Sequence, residues 1–383
     1  MNNRWMRILL AGMVLLFFSS PGTGHAEPSI SIQSSNAIVM DQQSGRIFYG
    51  KNIHEKRPIA SITKIMTAIL AIESGKLDEM VKVSEQAVRA EGSSIYLKPG
   101  EKIRLRDLVY GLMLRSGNDA ALAIAEYVGG SVEGFVFLMN EKAKILGMEN
   151  TRFANPHGLD GQGTHYSTAY DMAILTRYAM GNKTFREIAG TKVHRAPGPE
   201  GERIWYNKHR LVTGMYKYAT GGKTGYTKRA NRTLVTTAKK DGMELIAVTL
   251  DSLTSKDWKE HIQMFDYVYS RYKYVTILRE GMIREVREPF YQEKVYLTRD
   301  LVYPLTEEEL DHIEVKYRLM KPKRVWKFHP ERIPEVVGRA EVYLGEKRIG
   351  RLAIEFGQSE ERSSFLESVK RLFGMFIGVQ SDG

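Results

Sequence analysis

Three short clusters carry residue types able to do chemistry: Ser61-Ile62-Thr63-Lys64, Ser116-Gly117-Asn118 and Lys223-Thr224-Gly225. The first places a hydroxyl and an amine three residues apart. On a helix that spacing puts both side chains on one face, about 5–6 Å apart at Cβ. A serine at a helix N-terminus also has its N–H pointing outward, where the helix dipole favours developing negative charge. Lysine is protonated at neutral pH and is then a poor base. Burial beside a second positive charge, for which Lys223 is the candidate, lowers its pKa until it can take the serine proton. Alone, such a spacing is more often a serine cap with a solvated lysine. All three clusters in this order argue for a serine nucleophile served by a lysine base.

Ser116 and Asn118 follow Leu112, Met113 and Leu114 and precede an alanine-rich helical run. That is a loop position from which Ser116 can relay a proton to a leaving amine and Asn118 can hold a substrate amide. Helix capping is the alternative, and it is compatible with catalysis. Lys223, Thr224 and Gly225 lie in a glycine-rich run ahead of a hairpin. On a strand edge, Lys223 and Thr224 suit a carboxylate, and Gly225 lets substrate approach the backbone. The N–H of Tyr226 would join that of Ser61 as an oxyanion hole. An ordinary turn lysine is the alternative.

These clusters need elements to position them. Ala37 to Met40 and Arg46 to Tyr49 read as a hairpin; Thr233 to Ala238 and Glu244 to Leu250 read as a second, turning at Lys240-Asp241-Gly242. Between them the spacing predicts a mainly helical stretch, with helices over Ile62 to Ile72, Asp119 to Tyr127, Ser131 to Leu146 and Thr168 to Met180. His261 to Tyr272 is a closing helix. Helices inserted between two pieces of an antiparallel sheet give an α+β fold over residues 27–273. Residues 274–360 carry short β-type runs, among them Val295 to Leu297, Glu314 to Leu319, and Ala340 to Leu344 paired with Arg348 to Ile354, and read as a small all-β domain.

Residues 1–26 read as an export signal: Arg4 and Arg7, an apolar run from Ile8 to Phe18, then Gly24 and Ala26 before the cut. An uncleaved anchor is the alternative. Residues 361–383 form an amphipathic segment, with Phe365, Leu366, Val369, Leu372, Phe373, Phe376 and Ile377 on one face and Lys370 and Arg371 on the other. It is suited to lie in a membrane interface, or else to dock on its own domain. Cysteine is absent, which excludes disulfides, iron–sulfur clusters and cysteine nucleophiles. The net charge of +11 points to anionic lipid or an acidic wall polymer, since no nucleic-acid motif accompanies it. The expected location is the outer face of the cytoplasmic membrane or the cell wall.

The set resembles the penicillin-interacting serine transferases and hydrolases, and among them the low-molecular-weight D-alanyl-D-alanine carboxypeptidases of serine peptidase family S11. Glu91-Gly92-Ser93-Ser94, Leu97-Lys98-Pro99-Gly100, His157-Gly158-Leu159-Asp160, Tyr166-Ser167 and Asp171-Met172-Ala173 look like that family's segments in the same order. The resemblance covers nearly the whole mature chain. Leu108 to Asn118 and the C-terminal domain look most like the sporulation-specific carboxypeptidase of endospore formers, which would extend the location to the forespore envelope. The resemblance implies a β-lactamase/transpeptidase-like fold without cofactor or metal. It implies acylation of Ser61 by a peptidoglycan stem peptide ending in D-Ala-D-Ala and release of the last D-alanine. Lys64 would be the base, Ser116 and Asn118 the second catalytic element, and Lys223 the partner of the terminal carboxylate. β-Lactam antibiotics would acylate the same serine. One departure is Tyr226, where some relatives carry histidine.

Other readings remain at this level. A D,D-endopeptidase or transpeptidase would use the same motifs. A β-lactamase would too, although it needs neither a trailing β domain nor a terminal helix. A zinc peptidase would draw ligands from His157, Asp160 and His165. A non-enzymatic wall-binding protein would use the charge and the terminal segment alone.

Overall fold

The computed structural model of the chain describes residues 30–161 and 164–357. The expected export signal and the amphipathic segment 361–383 lie outside them. Strands β1 (Asn36–Asp41) and β2 (Ile47–Lys51) form the first hairpin. After a 3₁₀ turn, Ala60–Thr63, comes helix α1 (Lys64–Glu73). Strand β3 (Met80–Lys82), helix α2 (Glu85–Val88) and strand β4 (Lys102–Arg104) follow. Then come α3 (Leu105–Tyr110), α4 (Asn118–Gly129), α5 (Val132–Ile145), α6 (Ala169–Gly181) and α7 (Lys183–Gly190). A hairpin of β5 (Val193–Gly198) and β6 (Gly201–Tyr206) precedes β7 (Ala219–Thr227), β8 (Asn231–Lys240), β9 (Met243–Ser252) and α8 (Asp257–Arg271).

The sheet that organises this part has the order β2-β1-β9-β8-β7, every pair antiparallel. The two hairpins foreseen in the sequence are thus parts of one sheet, joined where β1 pairs with β9. The stretch between them is less purely helical than expected. β3 pairs with β4 and β5 with β6 as small separate hairpins. Their few apolar positions make a weak strand signal, and pairing partners supply what propensity does not. The glycine-rich run is itself a strand, β7, at the sheet's edge. Its glycines weaken the strand signal but leave room for neighbouring backbone.

Both faces of the central strands are covered. Val235, Ile246, Val248 and Leu250 join the main core with Ile65, Ile69, Leu108 and Ile124. Thr236 and Thr249 face the other way and bond the buried His261 of α8, at 2.8 and 3.0 Å. Period-two alternation therefore sorts these residues between two buried faces.

The remaining strands are β10 (Lys273–Leu278), β11 (Gly281–Met282), β12 (Val295–Leu297), β13 (Leu301–Leu305), β14 (Ile313–Leu319), β15 (Val336–Leu344) and β16 (Lys347–Phe356). A second five-stranded sheet runs β11-β12-β16-β15-β14, and β10 pairs with β13. They enclose their own core, including Val295, Tyr291, Trp326, Val337 and Ile354. Arg46 from the first hairpin reaches this region. Its guanidinium pairs with Glu309, donates to the Pro304 carbonyl at 2.7 Å and lies over the Tyr272 ring at 4.9 Å. The Tyr274 hydroxyl donates to the Asp41 carboxylate at 2.7 Å.

Candidate active site

Ser61 sits in the 3₁₀ turn immediately before α1, and Lys64 opens that helix. One turn of separation brings the Lys64 amine within 2.8 Å of the Ser61 hydroxyl oxygen. The same amine donates to Asn118 Oδ1 at 2.7 Å and to the His157 carbonyl at 2.8 Å. Lys64 is fully buried. Burial pushes its pKa well below the usual amine range, and the charges of Lys223 and Lys208 push the same way against a smaller opposing pull from Asp119.

Asn118 is the first residue of α4, held by its N–H on the Ser93 carbonyl at 2.6 Å. Its side-chain amide is engaged at both ends: Oδ1 accepts from Lys64, and Nδ2 donates to the Glu91 carbonyl at 2.5 Å. Asn118 thereby ties the Lys64 amine to the carbonyl of Glu91. Ser116 ends a π-helical turn, Gly111–Arg115, in left-handed backbone geometry with φ 66 and ψ 32. Non-glycine residues in that region are uncommon and concentrate at functional sites. Neither Ser116 nor Asn118 caps a helix with its side chain.

Lys223 projects from the edge strand β7. Its amine is 3.1 Å from Ser116 Oγ and donates to the Thr224 carbonyl at 2.7 Å. Burial, then the neighbouring Lys208 charge, lowers its pKa to about 7. Gly225 is required for close approach: a Cβ there would stand 2.4 Å from Thr233 Oγ1 and 2.8 Å from the Ser61 amide nitrogen. The β7 backbone therefore runs directly beside the Ser61 N–H. Tyr226, next along β7, is 64% exposed. Gly158 is equally constrained at the other side, with φ +85 and a Cβ position 1.9 Å from the Ala60 carbonyl oxygen.

Several contributors escaped the sequence reading. Lys208 is exposed, its amine 3.5 Å from Ser93 Oγ, its pKa lowered by partial desolvation and by Arg115. Asp119 pins the 94–97 loop, accepting from Ser94 Oγ at 2.6 Å and from the Ile95 and Leu97 N–H groups at 3.0 and 3.2 Å. The carbonyls of Glu91, Ser93 and His157 do their part through backbone, which carries no residue-type signal. Only the segment matches at Glu91-Gly92-Ser93-Ser94 and His157-Gly158 pointed to these places. A cavity of about 560 Å³ opens beside them, between the 94–98 loop, Arg115 and the β5–β6 hairpin.

The histidines proposed as metal ligands are otherwise engaged. His165 Nδ1 accepts from the Ala154 N–H at 3.1 Å, so in the neutral ring Nε2 carries the proton toward Thr63 Oγ1 at 2.8 Å. His157 Nδ1 accepts from the Leu159 N–H at 3.1 Å. Burial depresses both, to about 4 for His165 and about 3 for His157. No group of three His, Asp or Glu able to hold a metal occurs among the described residues.

An antiparallel sheet with inserted helices, a serine–lysine pair at a helix start and a second serine–lysine pair facing it define a serine peptidase of the penicillin-binding class. The family described as Peptidase S11, D-alanyl-D-alanine carboxypeptidase, matches residues 22–254, and the chain belongs to that family. It is 36% identical to D-alanyl-D-alanine carboxypeptidase DacF of Bacillus subtilis over 281 residues, 70% of this chain and 72% of that one. It is 32% identical to DacC of Escherichia coli over 95% of this chain and 94% of the relative. Among solved structures, penicillin binding protein 5 from Haemophilus influenzae superposes with a TM-score of 0.72 at 25% identity, covering 86% of this chain and 97% of that one. The chain is therefore a serine D-Ala-D-Ala carboxypeptidase with the α+β fold expected of it.

Proposed function

We propose that the enzyme works through an acyl-ester on Ser61, with Lys64 as the base that removes the serine proton. The observation that carries this is the hydrogen-bond count at the Lys64 amine. A neutral amine has two N–H donors and one lone pair. Asn118 Oδ1 and the His157 carbonyl can only accept, and both lie within 2.8 Å. In the neutral amine that burial favours, they take both N–H bonds and leave the lone pair facing Ser61 Oγ, 2.8 Å away, for the serine O–H to donate to. That is a nucleophile and base already in register.

Ser61 Oγ attacks the carbonyl of the penultimate D-alanine and its proton passes to Lys64. The N–H groups of Ser61 and Tyr226 receive the developing oxyanion. Lys223, Thr224 and Lys208 receive the terminal carboxylate. As the C–N bond breaks, Ser116, held by Lys223, relays the proton: it gives its own to the departing D-alanine amine and takes the one that Lys64 removed from Ser61, which leaves Lys64 neutral again. Water then attacks the acyl-ester and frees Ser61. Asn118 acts by holding Lys64. The preceding residues of the stem peptide have the cavity beside Arg115 to occupy. β-Lactams present an equivalent amide and acylate the same oxygen. Loss of the terminal D-alanine removes a donor for cross-linking. The resemblance over Leu108–Asn118 supports a role in the spore cortex. The expected signal at residues 1–26 and the segment 361–383 support work at the outer face of the cytoplasmic membrane.

Intact mass after incubation with benzylpenicillin tests the reading. One long-lived penicilloyl adduct is expected on the native protein and none on Ser61→Ala. Rapid loss of penicillin without adduct would favour a β-lactamase instead.

A further inference from the structure

We propose that the segment 320–332 of the C-terminal β-structure is a contact surface for an anionic phospholipid bilayer. It carries five cations, Lys321, Lys323, Arg324, Lys327 and Arg332, against one carboxylate, Glu331. All five are exposed. Among the described residues none of them is in a salt bridge, whereas Glu331 is matched to His329 at 3.0 Å. Cations gathered this way repel one another in water and are stabilised by a surface of negative headgroups.

Charge alone would suit any polyanion. The apolar tips decide for lipid. Phe328 is 72% exposed and Met320 48% exposed, interleaved with the cations. A soluble polyanion leaves such side chains in water, but a bilayer interface takes them up while the amines stay at headgroup level.

The surface is also held in shape. Two 3₁₀ turns, Arg324–Lys327 and Pro330–Arg332, present it. Trp326 between the cations is buried, its ring 5.9 Å from Phe290, which stacks on Phe356 at 5.8 Å. Phe356 ends β16, and Gly357 beside it shares a cavity lining with Trp326 and Lys327. The chain thus leaves for residues 361–383, amphipathic in sequence, from the same patch. The loop is a second contact with its own residues, and it stands or falls separately from the terminal segment.

The chain has no cysteine, so Phe328→Cys offers a unique site for an environment-sensitive fluorophore in the full mature protein. On phosphatidylcholine vesicles containing phosphatidylglycerol, a blue shift and quenching by brominated lipid are expected, weakening with salt. The triple substitution Lys321→Gln, Arg324→Gln, Lys327→Gln should lower partition onto those vesicles on the order of 100-fold. It should leave the melting temperature and cleavage of a soluble peptide unchanged. Vesicle sedimentation with a probe that stays aqueous would leave the terminal segment as the sole contact and overturn the proposal. Equal shifts on purely zwitterionic vesicles would overturn it too. So would tight binding to soluble poly(glycerol phosphate) without any shift on vesicles, or a shifted probe with no vesicles present, which would mean that the chain covers the loop itself.

Discussion

Lys64 and Lys223 are both buried amines, and the proposed mechanism asks opposite protonation of them. Lys64 must be neutral to take the serine proton, and its burial between Lys223 and Lys208 serves that end. Lys223 meets a carboxylate best when charged, yet its pKa is about 7. Above that pH the free enzyme loses the charge. For a peptide ending in D-Ala, kcat/KM should therefore fall as pH rises past about 7, while the same peptide with an amidated terminus should lack that alkaline limb. Identical profiles for the two substrates would remove Lys223 from carboxylate recognition. Stability follows from the same shift. On unfolding, the Lys223 pKa returns to 10.5. Below pH 7 both states hold the proton and the folded state bears the full penalty of burial. Between about 7 and 10.5 the unfolded chain holds more protons, so stability climbs with pH. Above 10.5 the penalty is gone. Lys223→Met, similar in length and apolar, should therefore stabilise by about 1–4 kcal/mol at pH 6. The gain should shrink toward pH 10 in calorimetric melts, and peptide cleavage should be lost.

At the scale of elements, the site is a junction of the 3₁₀ turn with α1, the 116–118 loop with α4, the 157–158 turn and the edge strand β7. Each arrives by backbone approach. Gly158 allows its turn to pass under Ala60, where no side chain fits. Gly158→Ala should push the Ser61 turn aside and slow penicillin acylation by about 100-fold, as ångström-scale misplacement of reacting groups does. Stopped-flow acylation beside a far-ultraviolet spectrum would separate this from unfolding. An unchanged rate would show that the turn has slack. The spacing in the sequence predicted α1, α4, α5, α6 and α8 because each buries a helical stripe. It did not reveal β3 through β6, whose few strand-forming residues depend on their partners. It placed β7 ahead of a hairpin, where the structure makes it a full strand of the same sheet.

At the scale of the molecule, two cores meet at Arg46, whose guanidinium joins Glu309, Pro304 and Tyr272. Deleting the residues after Glu361 should weaken membrane binding, leaving only the salt-sensitive contact of segment 320–332, and should leave cleavage of dissolved peptide intact, since the site is built from residues 59–233. Undiminished sedimentation of the truncated protein with membranes at high salt would count against the terminal segment as anchor. The sequence by itself determined the reactive types and their local pairing: Ser61 and Lys64 one helical turn apart, Ser116 two residues before Asn118, and glycines where backbones meet. Only the tertiary structure decided what those groups are able to do. Lys64 is held by partners 54 and 93 residues away, and Lys223 by one 107 residues away. Desolvation and Coulomb repulsion act over distances in space and not along the chain. The lowered pKa of Lys64, its bond to Asn118 and the push of the Lys208 charge upon it therefore exist only once the chain has folded.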